Sequence, residues 1–288
     1  MTAGVREWEA HRIVTPDPEA HIMTLTLGGG PLASRPPETV NYTIDGPAHR
    51  LLWQPFPRRV RALLGSETVL DSARARLLHE SNLLPQLYVP RADLREDLLE
   101  ESGHRTHCPF KGDARYWSVR VGDRFAENAV WSYPEPLDGA QWLKGHAAVY
   151  WSAMDAWFDE DEEVTGHVRD PYHRVDVRPT SRHVVVRAGG TDIAESRRAY
   201  LLSETGLPNR FYLPPQDVRT ELLEPSATHT HCPYKGQAAY RTLRAPGATI
   251  EDAAWCYEQP LDEASRVAGH LCFLADGIET VVDGTPLS

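Results

Sequence analysis

Thr106-His107-Cys108-Pro109-Phe110-Lys111-Gly112 and Thr230-His231-Cys232-Pro233-Tyr234-Lys235-Gly236 are one heptapeptide written twice, 124 residues apart, with Phe110 exchanged for Tyr234. At that offset, Tyr88-Val89-Pro90 falls on Tyr212-Leu213-Pro214, and Trp131 and Tyr133 fall on Trp255 and Tyr257. Pro136-Leu137-Asp138 falls on Pro260-Leu261-Asp262, and Gly145-His146 on Gly269-His270, with no gap. About a third of the aligned positions from Val60 to Phe158 are identical, several times what average composition gives by chance. The chain is a tandem duplication. Solenoid units run to roughly 20–50 residues, so an interval this long implies a complete domain with its own core in each copy. The expected division is an N-terminal arm over 1–34, copy one over 35–160 and copy two over 161–288. The acidic run Asp159-Glu160-Asp161-Glu162-Glu163 marks the junction and is expected to be a solvated face.

Within a copy, the pattern is that of strands. Val175-Asp176-Val177-Arg178 and His183-Val184-Val185-Val186-Arg187 alternate apolar with polar, and Ala188-Gly189-Gly190-Thr191-Asp192 between such runs is a hairpin turn. Tyr240–Arg244, Ala253–Tyr257 and His270–Leu274 are further strand candidates. Leu261–Ala268 suits a short helix ended by Gly269. Proline and glycine, 23 and 20 in all, are spread through both copies and argue against long helices. The expected fold class is all-β with minor helix, a barrel or sandwich in each copy.

Composition narrows the function classes. Hydrophobic residues make up 41% of the chain, enough for a core, yet no apolar run approaches the roughly 20 residues that cross a bilayer. A net charge of −11 disfavours phosphate backbones, so no nucleic acid and no membrane partner is expected. The first residues lack the basic-then-apolar pattern of a secretory signal, and four cysteines make no disulfide framework. A cytoplasmic location follows as the expectation.

The stretches Asp170-Pro171-Tyr172-His173-Arg174-Val175-Asp176-Val177, Cys232-Pro233-Tyr234-Lys235-Gly236 and Ala254-Trp255-Cys256-Tyr257-Glu258-Gln259-Pro260-Leu261 together resemble the DUF427 family. The resemblance covers nearly all of copy two, and copy one from about Pro37. It implies a compact β-domain similar to the β-tent of Mss4-like proteins and no established activity. A nucleotidyltransferase-like label also attaches to the family, but the chain shows no paired-carboxylate motif to hold Mg²⁺. Copy one departs from the pattern, with Gly46-Pro47 for Asp170-Pro171 and Leu51-Leu52-Trp53 for Val175-Asp176-Val177.

Candidate chemistry centres on the heptapeptide. The chain carries its positive charge almost wholly on arginine. Of 30 basic residues only Lys111, Lys144 and Lys235 are lysine, and two of these hold the same place in the repeat. A compact ammonium three residues beyond a thiol, with His107 or His231 just before it, brings cation, nucleophile and base together. Cys108, Lys111, Cys232 and Lys235 are thus the candidates for catalysis. The alternative reading is a plain turn, with proline fixing φ, glycine supplying an unusual φ and the cysteine a small hydrophobe.

The recurrent aromatics Tyr88/Tyr212, Tyr116/Tyr240, Trp131/Trp255 and Tyr133/Tyr257 can pack a core or stack a planar ligand. Trp-x-Tyr on a strand puts both rings on one face. The candidate ligand-binding set is therefore His107, Lys111, Tyr116, Trp131 and Tyr133 in copy one. In copy two it is His231, Lys235, Tyr240, Trp255 and Tyr257, with Arg174. His49-Arg50/His173-Arg174, Glu80/Glu204 and Asp93/Asp217 also recur; they can position a substrate, balance the lysine or form structural ion pairs. His146/His270 fit a structural role. Each copy shares too few Cys and His residues for a zinc site, so no metal and no cofactor is expected.

Three functional readings remain open. The leading one is binding of a small polar or anionic molecule, nucleotide-like or otherwise, in an aromatic pocket of each copy or between the copies. The second is an enzyme using the loop cysteine or lysine as nucleophile. The third is a protein-interaction module. The two copies are expected to form an internal pseudo-dimer.

Overall fold

A computed structural model describes residues 25–26, 30–35 and 40–287. Most of the expected arm, 1–34, lies outside the described residues. The part that is described is tied to copy one: Arg50 donates to the Ala33 carbonyl at 2.7 Å, and Ser81 donates to that of Leu32 at 2.5 Å.

In copy one a seven-stranded antiparallel sheet runs in the order Leu51–Pro55, Arg76–Glu80, Gln86–Pro90, His146–Val149, Arg124–Ser132, Gly112–Val121, Leu99–Cys108. A second sheet orders Glu162–Val164, Ala156–Asp159, Val60–Leu64 and Glu67–Ser72. The acidic junction is the turn of the hairpin between the first two of these, and arginines grip it. Arg58 pairs with Asp159 at 2.6 Å and Arg61 with Asp161 at 2.8 Å.

Copy two repeats the plan. Its large sheet is split into Val175–Pro179, Tyr200–Glu204, Leu207–Tyr212 and Leu223–Cys232, Gly236–Ala245, Ala248–Tyr257, Cys272–Phe273, which meet at a bridge between Leu213 and Leu271. Its second sheet contains Val184–Ala188, Thr191–Ser196, Ile278–Val282 and Thr285–Pro286. Both copies are all-β with short 3₁₀ turns, among them Asp262–Val267, where the sequence calls for a short helix.

The sheets do not close into a barrel. Leu51–Pro55 and Leu99–Cys108 remain open edges of the large sheet of copy one. The heptapeptide is also less of a loop than its sequence suggests. Cys108 pairs with Gly112 across a hairpin of two ten-residue strands, and Cys232 pairs with Gly236 likewise. The first strand of each hairpin escapes sequence reading because it is an edge with nearly every side chain in water. No apolar alternation marks it, and copy two even tolerates Pro225 there.

Strand alternation gives each large sheet two buried faces. In copy one, Leu77, Val89, Val119 and Val130 point toward the second sheet and form the main core with Val60, Ala62 and Val69. Their neighbours Leu78, Tyr88, Trp131 and Tyr133 point the other way, into a smaller aromatic core capped by Ala140 and Leu143 of the 3₁₀ turn Asp138–Leu143. Copy two builds the same second core from Leu202, Tyr212, Tyr257, Ala264 and Val267. The heptapeptide turn closes one end of this aromatic core.

Candidate functional site

The turn is held by backbone bonds that explain its glycine. Leu137 N–H donates to the Lys111 carbonyl and Leu261 N–H to that of Lys235, each at 3.1 Å. The chain returns so close that a Cβ on Gly112 would lie 3.2 Å from the Glu135 carbonyl oxygen, and one on Gly236 would lie 3.3 Å from that of Gln259. Both glycines have positive φ, +105° and +95°.

With the turn so placed, the lysines run inward. Lys111 donates to Glu80 Oε2, and the other oxygen of that carboxylate accepts from His49 Nε2 at 2.8 Å. Copy two repeats the arrangement: Lys235 donates to Glu204 Oε2, and His173 Nε2 donates to Oε1 at 3.0 Å. Each lysine and each histidine lies 31 residues from its glutamate. The glutamate side chains are both 8% exposed, so each carboxylate is a buried anion shared between an imidazole and an ammonium. Burial alone pushes the Glu204 carboxyl up, but His173 and Lys235 outweigh it and hold the group below its ordinary value.

The aromatic residue of the turn covers the imidazole. Phe110 stacks on His49 with centroids 3.7 Å apart, and Tyr234 lies over His173 at 4.1 Å. Lys111 Nζ stands 5.9 Å from the Tyr133 ring centroid. Burial pushes the phenols of Tyr133 and Tyr257 up, so both stay neutral.

The sequence candidates separate at this point. Lys111 and Lys235 lie at the centre, with Tyr133 and Tyr257 beside them in the aromatic cores. Trp131, Trp255, Tyr116 and Tyr240 are satisfied members of those cores: Trp255 donates to the Tyr212 hydroxyl at 3.1 Å, and Tyr116 bonds Thr106 at 2.9 Å. His107 and His231 do not join the lysines. Next to an inward-facing cysteine on a strand, they face outward, and His107 bonds Asp113 in solvent at 2.6 Å. Arg174 is 74% exposed and pairs with Asp176.

Cys108 and Cys232 pack against the aromatic cores. Cys256 and Cys272 are buried, and burial pushes both thiols up, Cys272 to about 12. Asp93 and Asp217 belong elsewhere. They accept from Ser72 and Ser196 at 2.6 and 2.7 Å and pair with Arg74 and Arg198, which is a structural role.

The base beside each lysine is therefore His49 or His173, reached through the glutamate. The sequence signal for this was its exact recurrence in both copies, together with Glu80 and Glu204. Among the described residues, no group of three or more His, Cys, Asp or Glu side chains could hold a metal ion, and no helix is long and apolar enough to cross a membrane.

An open cleft of about 1060 Å³ lies between the copies and reaches His173 and Tyr234. At its wall Gln54 donates to the Tyr172 hydroxyl at 2.5 Å, and the rings of Tyr172 and His79 form a T-shaped pair with centroids 5.4 Å apart. His79 is fully buried with neither ring nitrogen bonded.

A family model described as "Domain of unknown function (DUF427)" matches the chain twice, at residues 52–160 and 176–284. No curated protein matches the chain.

Proposed function

The chain belongs to the DUF427 family in two tandem copies, and from that premise we propose that this domain binds a small polar or anionic molecule at its His–Glu–Lys constellation. One observation carries the reading. The same buried imidazole–carboxylate–ammonium arrangement is built twice, on the same elements, although about two thirds of the aligned residues differ between the copies. An ordinary structural pair is readily replaced by apolar residues of like volume, often with no loss of stability. Retention of all three groups in both copies favours a ligand that uses them.

The glutamate takes one of the three ammonium hydrogens, which leaves donors for a ligand acceptor. Because His49 Nε2 faces a carboxylate, it carries the proton, and Nδ1 is left with the lone pair. A phosphate or carboxylate placed on Lys111, with its planar portion against the turn's aromatic ring, would engage both.

The test is a thermal shift with adenosine monophosphate, inorganic pyrophosphate and citrate as probes, since a ligand of the native state raises apparent stability. The comparison protein is Glu80→Gln/Lys111→Met with Glu204→Gln/Lys235→Met, which removes both charges of each pair together. A shift in the parent that vanishes in this variant supports the reading. Equal shifts, or none with any probe, count against it.

A second reading has one observation in its favour. A carboxylate bonded to His Nε2, as in Glu80–His49, is the arrangement that orients a histidine for proton transfer. It points to His49 or His173 as the acid–base group of an enzyme. The loop lysine fits poorly as a nucleophile, because an ion-paired ammonium has no lone pair to attack with.

A further inference from the structure

The two constellations share their centre but differ in what lies above it. In copy two, the segment His167–Asp170 runs over the turn. The Asp170 N–H donates to the Tyr234 hydroxyl at 2.8 Å. Arg169 donates from Nε to the Pro233 carbonyl at 2.9 Å and from its terminal nitrogen to Glu263 at 2.6 Å. The His167 ring stands edge-on to Tyr234 at 6.1 Å. Val168 is buried in the main core of copy one, so this segment is anchored at both ends of its reach.

The side-chain groups that make these bonds, the Tyr234 hydroxyl, the Arg169 guanidinium and the Glu263 carboxylate, have no counterpart in copy one. At the repeat offset Tyr234 becomes Phe110, which lacks the hydroxyl. Arg169 becomes Asp45, Asp170 becomes Gly46 and Glu263 becomes Gly139. The exposures follow: Phe110 is 40% exposed, whereas Tyr234 is 8% exposed. Among the described residues, the outer face of the aromatic ring, with the histidine stacked behind it, is open in copy one and filled by the chain itself in copy two.

We propose that the copies divide their roles: copy one carries the open seat for a ligand, and copy two carries a seat held shut by Arg169 and Asp170, which act as a latch. Arg169, Asp170 and Glu263 line the cleft between the copies together with His173 and Tyr234, so the latch forms part of its wall, and releasing it would extend that cleft toward Lys235. The ligand half of this proposal rests on the binding reading above; the latch half rests on the contacts alone.

Two measurements separate them. The first reads the latch without any ligand. Diethyl pyrocarbonate labelling, mapped by mass spectrometry, should modify His49, 19% exposed, faster than His173, 12% exposed, in the parent. Arg169→Ala/Tyr234→Phe should bring the His173 rate close to that of His49 and should speed amide exchange at Asp170. Equal rates in the parent, or an unchanged His173 rate in the variant with its fold intact by circular dichroism, would overturn the latch.

The second uses adenosine monophosphate in the thermal-shift assay. Glu80→Gln/Lys111→Met should lose the shift, and adding Arg169→Ala/Tyr234→Phe to that variant should restore one by opening copy two. A shift that survives in the first variant, or is not restored in the second, refutes this division of roles. A probe that shifts no protein leaves the labelling result to decide the latch and counts against the binding reading alone.

Discussion

His49 lies flat on Phe110, with ring centroids 3.7 Å apart and planes 10° apart, while its Nε2 donates to Glu80. One residue of the turn thus orients the imidazole, and the next, Lys111, supplies the cation on the other carboxylate oxygen. The turn is the clamp of the site, and its chemistry is that of a shared buried anion.

Removing one partner of that anion should be costly. Lys111→Met leaves the buried Glu80 with the His49 imidazole as its one remaining partner and should cost about 3 kcal/mol in urea unfolding. Glu80→Gln/Lys111→Met should recover most of the loss. Equal stability of the single and double variants would mean that the pair is not coupled.

The glycine of the turn allows little substitution. Gly112→Ala forces an L residue into φ of +105° with its Cβ 3.2 Å from the Glu135 carbonyl oxygen. We expect a loss on the order of 1–3 kcal/mol, and a like loss for Gly236→Ala. Thermal unfolding of each variant checks this.

Acidification should weaken the seam between the copies through His79. Burial holds its imidazole below the ordinary value, with Asp170 opposing only in part. An unfolded histidine titrates near ~6.5. Below that pH the unfolded chain binds the proton that the folded chain refuses, so stability falls as pH drops until the folded group also titrates. His79→Leu should flatten this slope between about pH 7 and 5 in urea titrations. An unchanged slope would show that other groups set it.

Glu204 gives a separate, more acidic limb. Its folded value is depressed, so its stabilisation is complete above the unfolded value of about 4.3 and is lost as pH falls through the folded one. Glu204→Gln should be less stable at neutral pH and lose less on acidification below about 4.

Thiol chemistry distinguishes the readings of the turn. Iodoacetamide on the native protein should spare Cys256 and Cys272, which are buried, with their thiols pushed up. Cys108→Ser/Cys232→Ser should keep any ligand-induced thermal shift. Loss of the shift in that variant would return the cysteines to the centre of the site.

Much of this protein was legible in one dimension. The 124-residue offset exposed the duplication, because paired copies keep the residues their shared backbone needs. Val175–Arg178 declared itself as a strand by alternation, because Val175 and Val177 are buried and Arg178 is wet, and Val184–Val186 by a β-branched run that is buried throughout. The two retained lysines pointed to the turn, since arginine serves almost everywhere else in the chain.

The partners of those lysines were decided only by tertiary structure. His49, Glu80 and Lys111 are spaced 31 residues apart and meet because strand register sets Leu51 opposite Glu80 and Cys108 opposite Gly112. Pairing of that kind depends on hydrogen bonds between distant strands, which local patterning does not encode. His107, adjacent to the cysteine in sequence, is turned away by the same pleat that turns Cys108 inward. What covers the Tyr234 ring was likewise decided by where the chain passes after it leaves copy one.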